Sequence, residues 1–173
     1  MGVYKWNSGE IYDGEWKNQF MWGKGKLTKP NGEIYQGQFY QSMKHGKGTW
    51  KDKYGNKYEG NWVFGVKQGL GKYTHSNGNV YQGQWSHDKI NGQGKINYKN
   101  KDTYEGEWLD GKFNGQGVFL HKNGNKYTGE WKNNKMHGNG KFIWKNGSYY
   151  EGEWRKGKFN GEGKMVYEDG GMY

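Results

Sequence analysis

The sequence predicts an all-β fold: a single-layer antiparallel β-meander, built as a repeat array of β-hairpins. Three observations predict it. The chain repeats itself with a strict 23-residue period, turn signals punctuate every repeat, and glycines interrupt any helical pattern.

The period is read from a Tyr-x-Gly-x-aromatic motif that begins at Tyr12, Tyr35, Tyr58, Tyr81, Tyr104, Tyr127 and Tyr150. Its aromatic partner is Trp16, Phe39, Trp62, Trp85, Trp108, Trp131 and Trp154 in turn. A Gly-x-Gly pair keeps the same step, from Gly23/Gly25 to Gly161/Gly163, and two residues later comes an apolar column from Leu27 to Met165. The whole chain, 1–173, therefore reads as one array: a partial repeat over 1–11, seven full repeats, and the start of an eighth at 171–173. The array reads as cut or continued at both ends, so self-association through open sheet edges is expected.

Two kinds of turn separate the strands. Phe64-Gly65, Asp110-Gly111, Asn133-Asn134 and Lys156-Gly157 suit two-residue hairpin loops that need positive φ. Pro30-Asn31-Gly32, Ser76-Asn77-Gly78, Lys122-Asn123-Gly124 and Lys145-Asn146-Gly147 mark the junctions between repeats. An odd period would flip the aromatic face at every repeat, because strand side chains alternate. A three-residue junction loop with a G1 bulge absorbs the extra residue and restores the face. That gives about 15 strands of roughly 8 and 10 residues. One face then carries Tyr, Gly, Trp, an apolar residue (Ile90, Phe113, Met136, Phe159), two glycines and the apolar column, with each Tyr expected across from the second glycine. Lys101 stands where the junction turn wants glycine.

Composition bounds the reading. Hydrophobic residues make up 31%, too few for an ordinary core, yet 18% are aromatic and 33 are glycine. Disordered chains lack such aromatics, so order is being built from Tyr, Trp and Gly. No cysteine is present to form a disulfide or a thiolate metal site. That fits an intracellular, cytoplasmic protein, and Met1-Gly2-Val3-Tyr4 runs straight into the pattern without a leader. The net charge of +10 suits acidic partners.

The Tyr-x-Gly-x-Trp motif, the Gly-x-Gly pair and the 23-residue step resemble the MORN (membrane occupation and recognition nexus) repeat. The resemblance covers essentially the whole chain. It implies an elongated twisted rod or groove and a binding role. Relatives serve in membrane tethering, ciliary spoke heads, parasite cytoskeleton and phosphoinositide kinases.

No chemistry stands out. Seven Gly-x-Gly copies lack the Gly-Lys-Ser/Thr that a phosphate loop needs. His45, His75, His87, His121 and His137 fall in three different repeat columns and read as solvated. Paired acids such as Glu105/Glu107 recur and read as a solvent face. Neither catalysis nor a cofactor is expected. One column breaks the pattern: four residues after the Trp stand Lys89, Lys112, Lys135 and Lys158, but Phe20, Met43 and Val66 in the first three repeats. With Trp22, Tyr40 and Val63 they form a candidate partner-binding patch. The leading expectation is a non-catalytic scaffold for a protein partner, a helix or strand docking on the sheet, in a cytoskeletal, ciliary or membrane-associated assembly. The alternatives are an anionic-lipid or phosphoinositide membrane module, or an accessory module of a larger enzyme. Nucleic acid is disfavoured, because the aromatics are committed to packing.

Overall fold

The computed structural model describes residues 1–173 and contains fifteen strands and no helix. All strand pairings are antiparallel, and strand order follows chain order. The chain divides into two compact units, Met1–Lys89 and Ile90–Tyr173. The first holds β1 (Gly2–Lys5), β2 (Ile11–Lys17), β3 (Phe20–Thr28), β4 (Ile34–Tyr40), β5 (Met43–Lys51), β6 (Lys57–Val63), β7 (Val66–Thr74) and β8 (Val80–Ser86). The second holds β9 (Lys89–Asn97) apart from its first residue, β10 (Thr103–Leu109), β11 (Lys112–Leu120), β12 (Lys126–Lys132), β13 (Lys135–Ile143), β14 (Tyr149–Arg155) and β15 (Lys158–Val166). After β1, strands of 7 and 9 residues alternate, close to the expected lengths.

Both turn assignments hold. The hairpin loops are two residues long and left-handed throughout: Asn18 and Gln19 lie at φ 50° and 66°, Asn133 and Asn134 at 51° and 64°. Left-handed φ at both positions is the type I′ geometry that matches strand twist. At the junctions, Trp144 N–H donates to Ser148 O and Gly147 N–H to Trp144 O, both at 2.9 Å, with Gly147 at φ 91°. That is the three-residue loop ending on a left-handed glycine. Lys101 occupies the same position at φ 75°.

The register differs from expectation by two residues. Trp154 faces Phe159 as the hairpin dictates, but Gly152 then faces Gly163, so Tyr150 lies across from Met165 rather than a glycine. Glu153 alone is opposed by Asn160, Gly161 and Glu162. A bulge of this kind recurs in the other hairpins within each unit, for example at Gly14/Glu15, Gly106/Trp108 and Gly129/Trp131. It bends the strand around the first glycine of each pair, with Gly161 at φ 59°. Two extra residues preserve parity, so the aromatic face is the one the pattern implies.

The bulge explains the repeat motif. A bulge leaves a carbonyl and an N–H without ladder partners, and buried orphans are costly. Tyr12, Tyr35, Tyr58, Tyr81, Tyr104, Tyr127 and Tyr150 each donate their hydroxyl to the carbonyl three residues on, at 2.8–3.1 Å. The side chain before the Trp takes the free N–H: Glu15 accepts from Lys24, Gln38 from Lys47, Glu107 from Gln116 and Glu130 from Asn139, at 2.8–2.9 Å. These acids therefore serve the bulge, where the sequence suggested a plain solvent face.

The glycines make room for the tyrosine ring. A Cβ at Gly25 would fall on the Tyr12 ring, and one at Gly14 would come within 2.6 Å of the Gly25 Cα. Each Tyr meets its own Trp edge-on at 5.0–5.5 Å. Within each unit it also meets the aromatic of the following repeat, as Tyr35 does Trp62 and Tyr127 does Trp154. Such edge-to-face pairs each add about 0.5–1.5 kcal/mol beyond area burial. All these repeat aromatics are buried except Trp16, which is half-buried. A layer of rings thus stands in for a second sheet.

Candidate functional site

The column that breaks the repeat lies on the face of β2–β7 opposite the rings. Parity places it there: Lys17 faces Phe20, Tyr40 faces Met43 and Val63 faces Val66 across three successive hairpins. Phe20 is 47% exposed, Tyr40, Met43 and Val63 are also exposed, and Trp22 and Val66 are half-buried.

Two of the six residues touch as rings: Trp22 and Tyr40 lie 4.6 Å apart. The structure adds two that sequence reasoning missed. His45 sits 5.6 Å from Tyr40, and Phe64 lies 5.2 Å from His45 and 6.0 Å from Tyr40. A row Trp22–Tyr40–His45–Phe64 therefore crosses β3 to the β6–β7 loop. His45 Nδ1 is enclosed and has no hydrogen-bond partner, so this histidine is not the solvated side chain expected. Phe64 carried a readable signal. It takes the first loop position at φ 46°, where the other repeats place Asn18, Gln41, His87, Asp110, Asn133 and Lys156. A left-handed conformation costs a bulky residue roughly 1–2 kcal/mol, and Phe64 is still 55% exposed.

Beside this row the same face is basic. A concavity of about 660 Å³ is lined by Lys24, Lys26, Gln36, Gln38 and Lys47, with Asp13 its one carboxylate. In unit 2 the counterparts of Lys26 are neutralised by cross-strand pairs, Lys95–Glu105 and Lys141–Glu151, both at 3.0 Å. In the first unit Lys26 faces Gln36, and Lys24 faces Gln38. The ion pairs of this unit engage Lys29, Lys44, Lys57 and Lys67, leaving Lys24, Lys26 and Lys47 exposed without one.

The ring-bearing face of the first unit holds two lysines in the column where unit 2 carries Phe113, which stacks on Tyr104 at 3.7 Å, and Phe159, which stacks on Tyr150 at 4.1 Å. Lys44 Nζ lies over Trp62 at 4.7 Å and Tyr35 at 5.3 Å. Lys67 Nζ sits among Trp85, Tyr58, Trp50 and Tyr73 at 5.3–5.7 Å. Burial pulls both ammonium groups below the usual lysine pKa, against the opposing charges of Glu33 and Asp88. Burial alone would raise the Glu33 carboxyl. Hydrogen bonds from Trp50 (2.6 Å) and Lys29 (3.2 Å), with the Lys44 charge, hold it below the usual range. The sequence reading passed over these lysines, since a strand lysine ordinarily faces water.

Fold and site together define a repeat-built β-scaffold whose rings form one face and whose anomalous residues gather on the other. The chain belongs to the MORN repeat family, whose model matches residues 12–34, 35–53, 58–80, 81–103, 104–126, 127–149 and 150–172. No curated protein matches the sequence. Among solved structures, the chain is similar to the TCP domain of Drosophila melanogaster SAS-4 (dCPAP) in complex with a proline-rich motif of Ana2 (dSTIL). The two are 12% identical with a TM-score of 0.53, over 87% of this chain and 82% of that one. A second structure, the TCP10c domain of Drosophila melanogaster Sas-4, is 12% identical with a TM-score of 0.49, over 87% of this chain and 90% of that one. The likeness is one of fold.

Proposed function

We propose that this protein is a non-catalytic scaffold that binds a protein partner, and that the partner docks on the row formed by Phe20, Trp22, Tyr40, Met43, Phe64 and Val66. The observation that carries the reading is Phe64, a strained aromatic left largely in water at a loop position every other repeat fills with a polar or charged residue. Lys112 and Lys158 occupy the column of Phe20 in well-formed repeats, so the fold does not require apolar groups there. Large aromatics of this kind anchor protein interfaces. The TCP domain that shares the fold was solved with a peptide motif bound, which supports reading the sheet as a peptide platform. Cytoskeletal, ciliary and membrane-associated assemblies are the settings in which such a scaffold is proposed to work.

The test compares wild type with Phe20→Lys/Met43→Lys/Val66→Lys. Proteins crosslinked to each in extract of the source organism are identified and then rebound in purified form. Circular dichroism checks that both chains fold. Loss of at least tenfold in affinity for the purified partner is expected. Equal binding by both chains would place the docking surface elsewhere. Flotation with phosphatidylserine vesicles in the absence of any protein partner would replace this reading with the membrane one.

A further inference from the structure

We infer that the partner segment at this surface is an extended acidic peptide with an apolar anchor, its anchor on Trp22 and Tyr40 and its carboxylates on Lys24, Lys26 and Lys47. The inference rests on the docking surface proposed above and adds its ligand chemistry.

Spacing supplies the first argument. Trp22, Lys24 and Lys26 are alternate residues of β3 on the face opposite the rings; the left-handed Gly23 bends the strand between Trp22 and Lys24, and the extended step from Lys24 to Lys26 spans about 6.6 Å. Lys47 lies on the same face two strands away, beyond Gln36 and Gln38. A peptide lying extended over this face of β3 presents its own same-face side chains at a similar interval. An apolar residue on the Trp22–Tyr40 pair therefore sets alternate residues of the peptide over the lysines further along β3.

Charge supplies the second. Three exposed lysines line the concavity with one carboxylate, Asp13, which faces Lys26, while Glu15 is held on the Lys24 N–H at 2.8 Å. Gln36 stands where Glu105 and Glu151 pair with lysines in the second unit, and Gln38 stands where Glu107 and Glu130 accept backbone N–H groups; both are uncharged amides. Gln38 still does the structural work of its column, accepting the Lys47 N–H at 2.9 Å. The exchange of acid for amide thus leaves the bulge intact and frees positive charge beside the aromatic row. A hydrophobic anchor flanked by carboxylates complements both halves of the surface, and its binding should weaken with salt.

The experiment uses the full chain and a fluorescein-labelled synthetic 12-residue peptide with a central Leu-Pro pair and glutamates at alternate positions on both sides, so that either chain direction is served. Fluorescence anisotropy should show saturable binding. Glu→Gln throughout the peptide, or Lys24→Gln/Lys26→Gln/Lys47→Gln in the protein, should each weaken it at least tenfold, while Lys112→Gln/Lys135→Gln/Lys158→Gln should not. Phe64→Ser should also weaken it. If the amide peptide binds as tightly as the acidic one and Phe64→Ser still abolishes binding, the docking surface stands and the acidic inference falls. If the peptide binds equally to the Lys24→Gln/Lys26→Gln/Lys47→Gln variant the acidic inference falls, and if it also binds equally to Phe64→Ser the site lies elsewhere and both fall. Binding of phosphatidylserine vesicles or single-stranded oligonucleotide through these lysines, with no peptide bound, also overturns the inference.

Discussion

Trp131 donates its indole N–H to the Gly117 carbonyl at 3.2 Å, tying one repeat to the one before it. The same bond joins Trp16 to Gly2, Trp62 to Gly48, Trp85 to Gly71, Trp108 to Gly94 and Trp154 to Gly140. Phe39 takes the column without a donor. Trp131→Phe should therefore cost about 1–2 kcal/mol, because it leaves a buried carbonyl short of a partner. Phe39→Trp should gain about 1 kcal/mol from the added bond. Phe39 lies 5.0 Å from Tyr35 and 5.1 Å from Tyr12, as the tryptophans lie from their tyrosines, so an indole can make the same edge-on contacts. Urea unfolding of both variants checks this. A destabilised Phe39→Trp would mean that the second repeat has closed around the smaller ring.

Lys101→Gly should stabilise the second unit by about 0.5–1 kcal/mol. Lys101 holds φ 75°, while Gly32, Gly55, Gly78, Gly124 and Gly147 fill the equivalent turns. Its N–H already donates to Tyr98 O at 2.9 Å, and glycine keeps that bond. A fall in melting temperature would show that the lysine side chain is worth more than the strain it imposes.

The period, both loop types, the common aromatic face and the need for positive φ at Lys101 were all legible in the sequence. Each follows from spacing or from residues whose backbone freedom is distinctive. The bulge was not legible. Gly-x-Gly shows that rings pass over the strand, but not that one residue faces three, and hairpin counting alone put Tyr150 opposite Gly163. Glu107 was read as a surface acid because its acceptor role exists only once the bulge frees the Gln116 N–H. At the candidate site, the column of Phe20, Met43 and Val66 was visible as a departure from lysine. His45 and Phe64 escaped because one was read by column and the other as a turn residue.

Alkaline pH should unfold the array through its tyrosines. Burial pushes Tyr58 and Tyr127 up to about 12, and Tyr35, Tyr81 and Tyr104 higher still. The unfolded phenol titrates near about 10. Between the two values the folded state holds more protons, so stability falls as pH rises. The contribution is full below about pH 10 and lost through about pH 12. Melting temperature should stay level from about pH 7 to 9 and drop steeply above about 10, in step with tyrosinate absorbance at about 295 nm. Release of all tyrosines near about pH 10 without unfolding would show that the hydroxyl bonds to the bulge carbonyls do not hold them.

Lys67 separates two opposing terms. Four rings surround its ammonium, and a desolvated cation–π contact is worth about 2 kcal/mol. Against this stands the desolvation of the charge, several kcal/mol, offset only by Asp88 at 3.9 Å, which is itself half-exposed. Met21 and Met136 fill the same column without charge, so the space accepts a thioether. Asp88 would not be orphaned by the exchange, since it also accepts the Lys67 backbone N–H at 2.9 Å. Lys67→Met should therefore raise stability by about 1 kcal/mol at neutral pH. The gain should depend on pH with a definite sign. Lys67 has a folded pKa below 10.5, so below that folded value both states are protonated and the wild type carries the full penalty. As pH rises from the folded value towards 10.5, the unfolded chain holds the extra proton, the wild type gains stability, and its deficit against the Lys67→Met chain shrinks. The tyrosine contribution is common to both chains and cancels in the difference. Paired urea titrations at about pH 7, 8.5 and 9.5 measure it. A Lys67→Met chain less stable than wild type at neutral pH would show that the aromatic cage, rather than desolvation, decides the energy of this lysine.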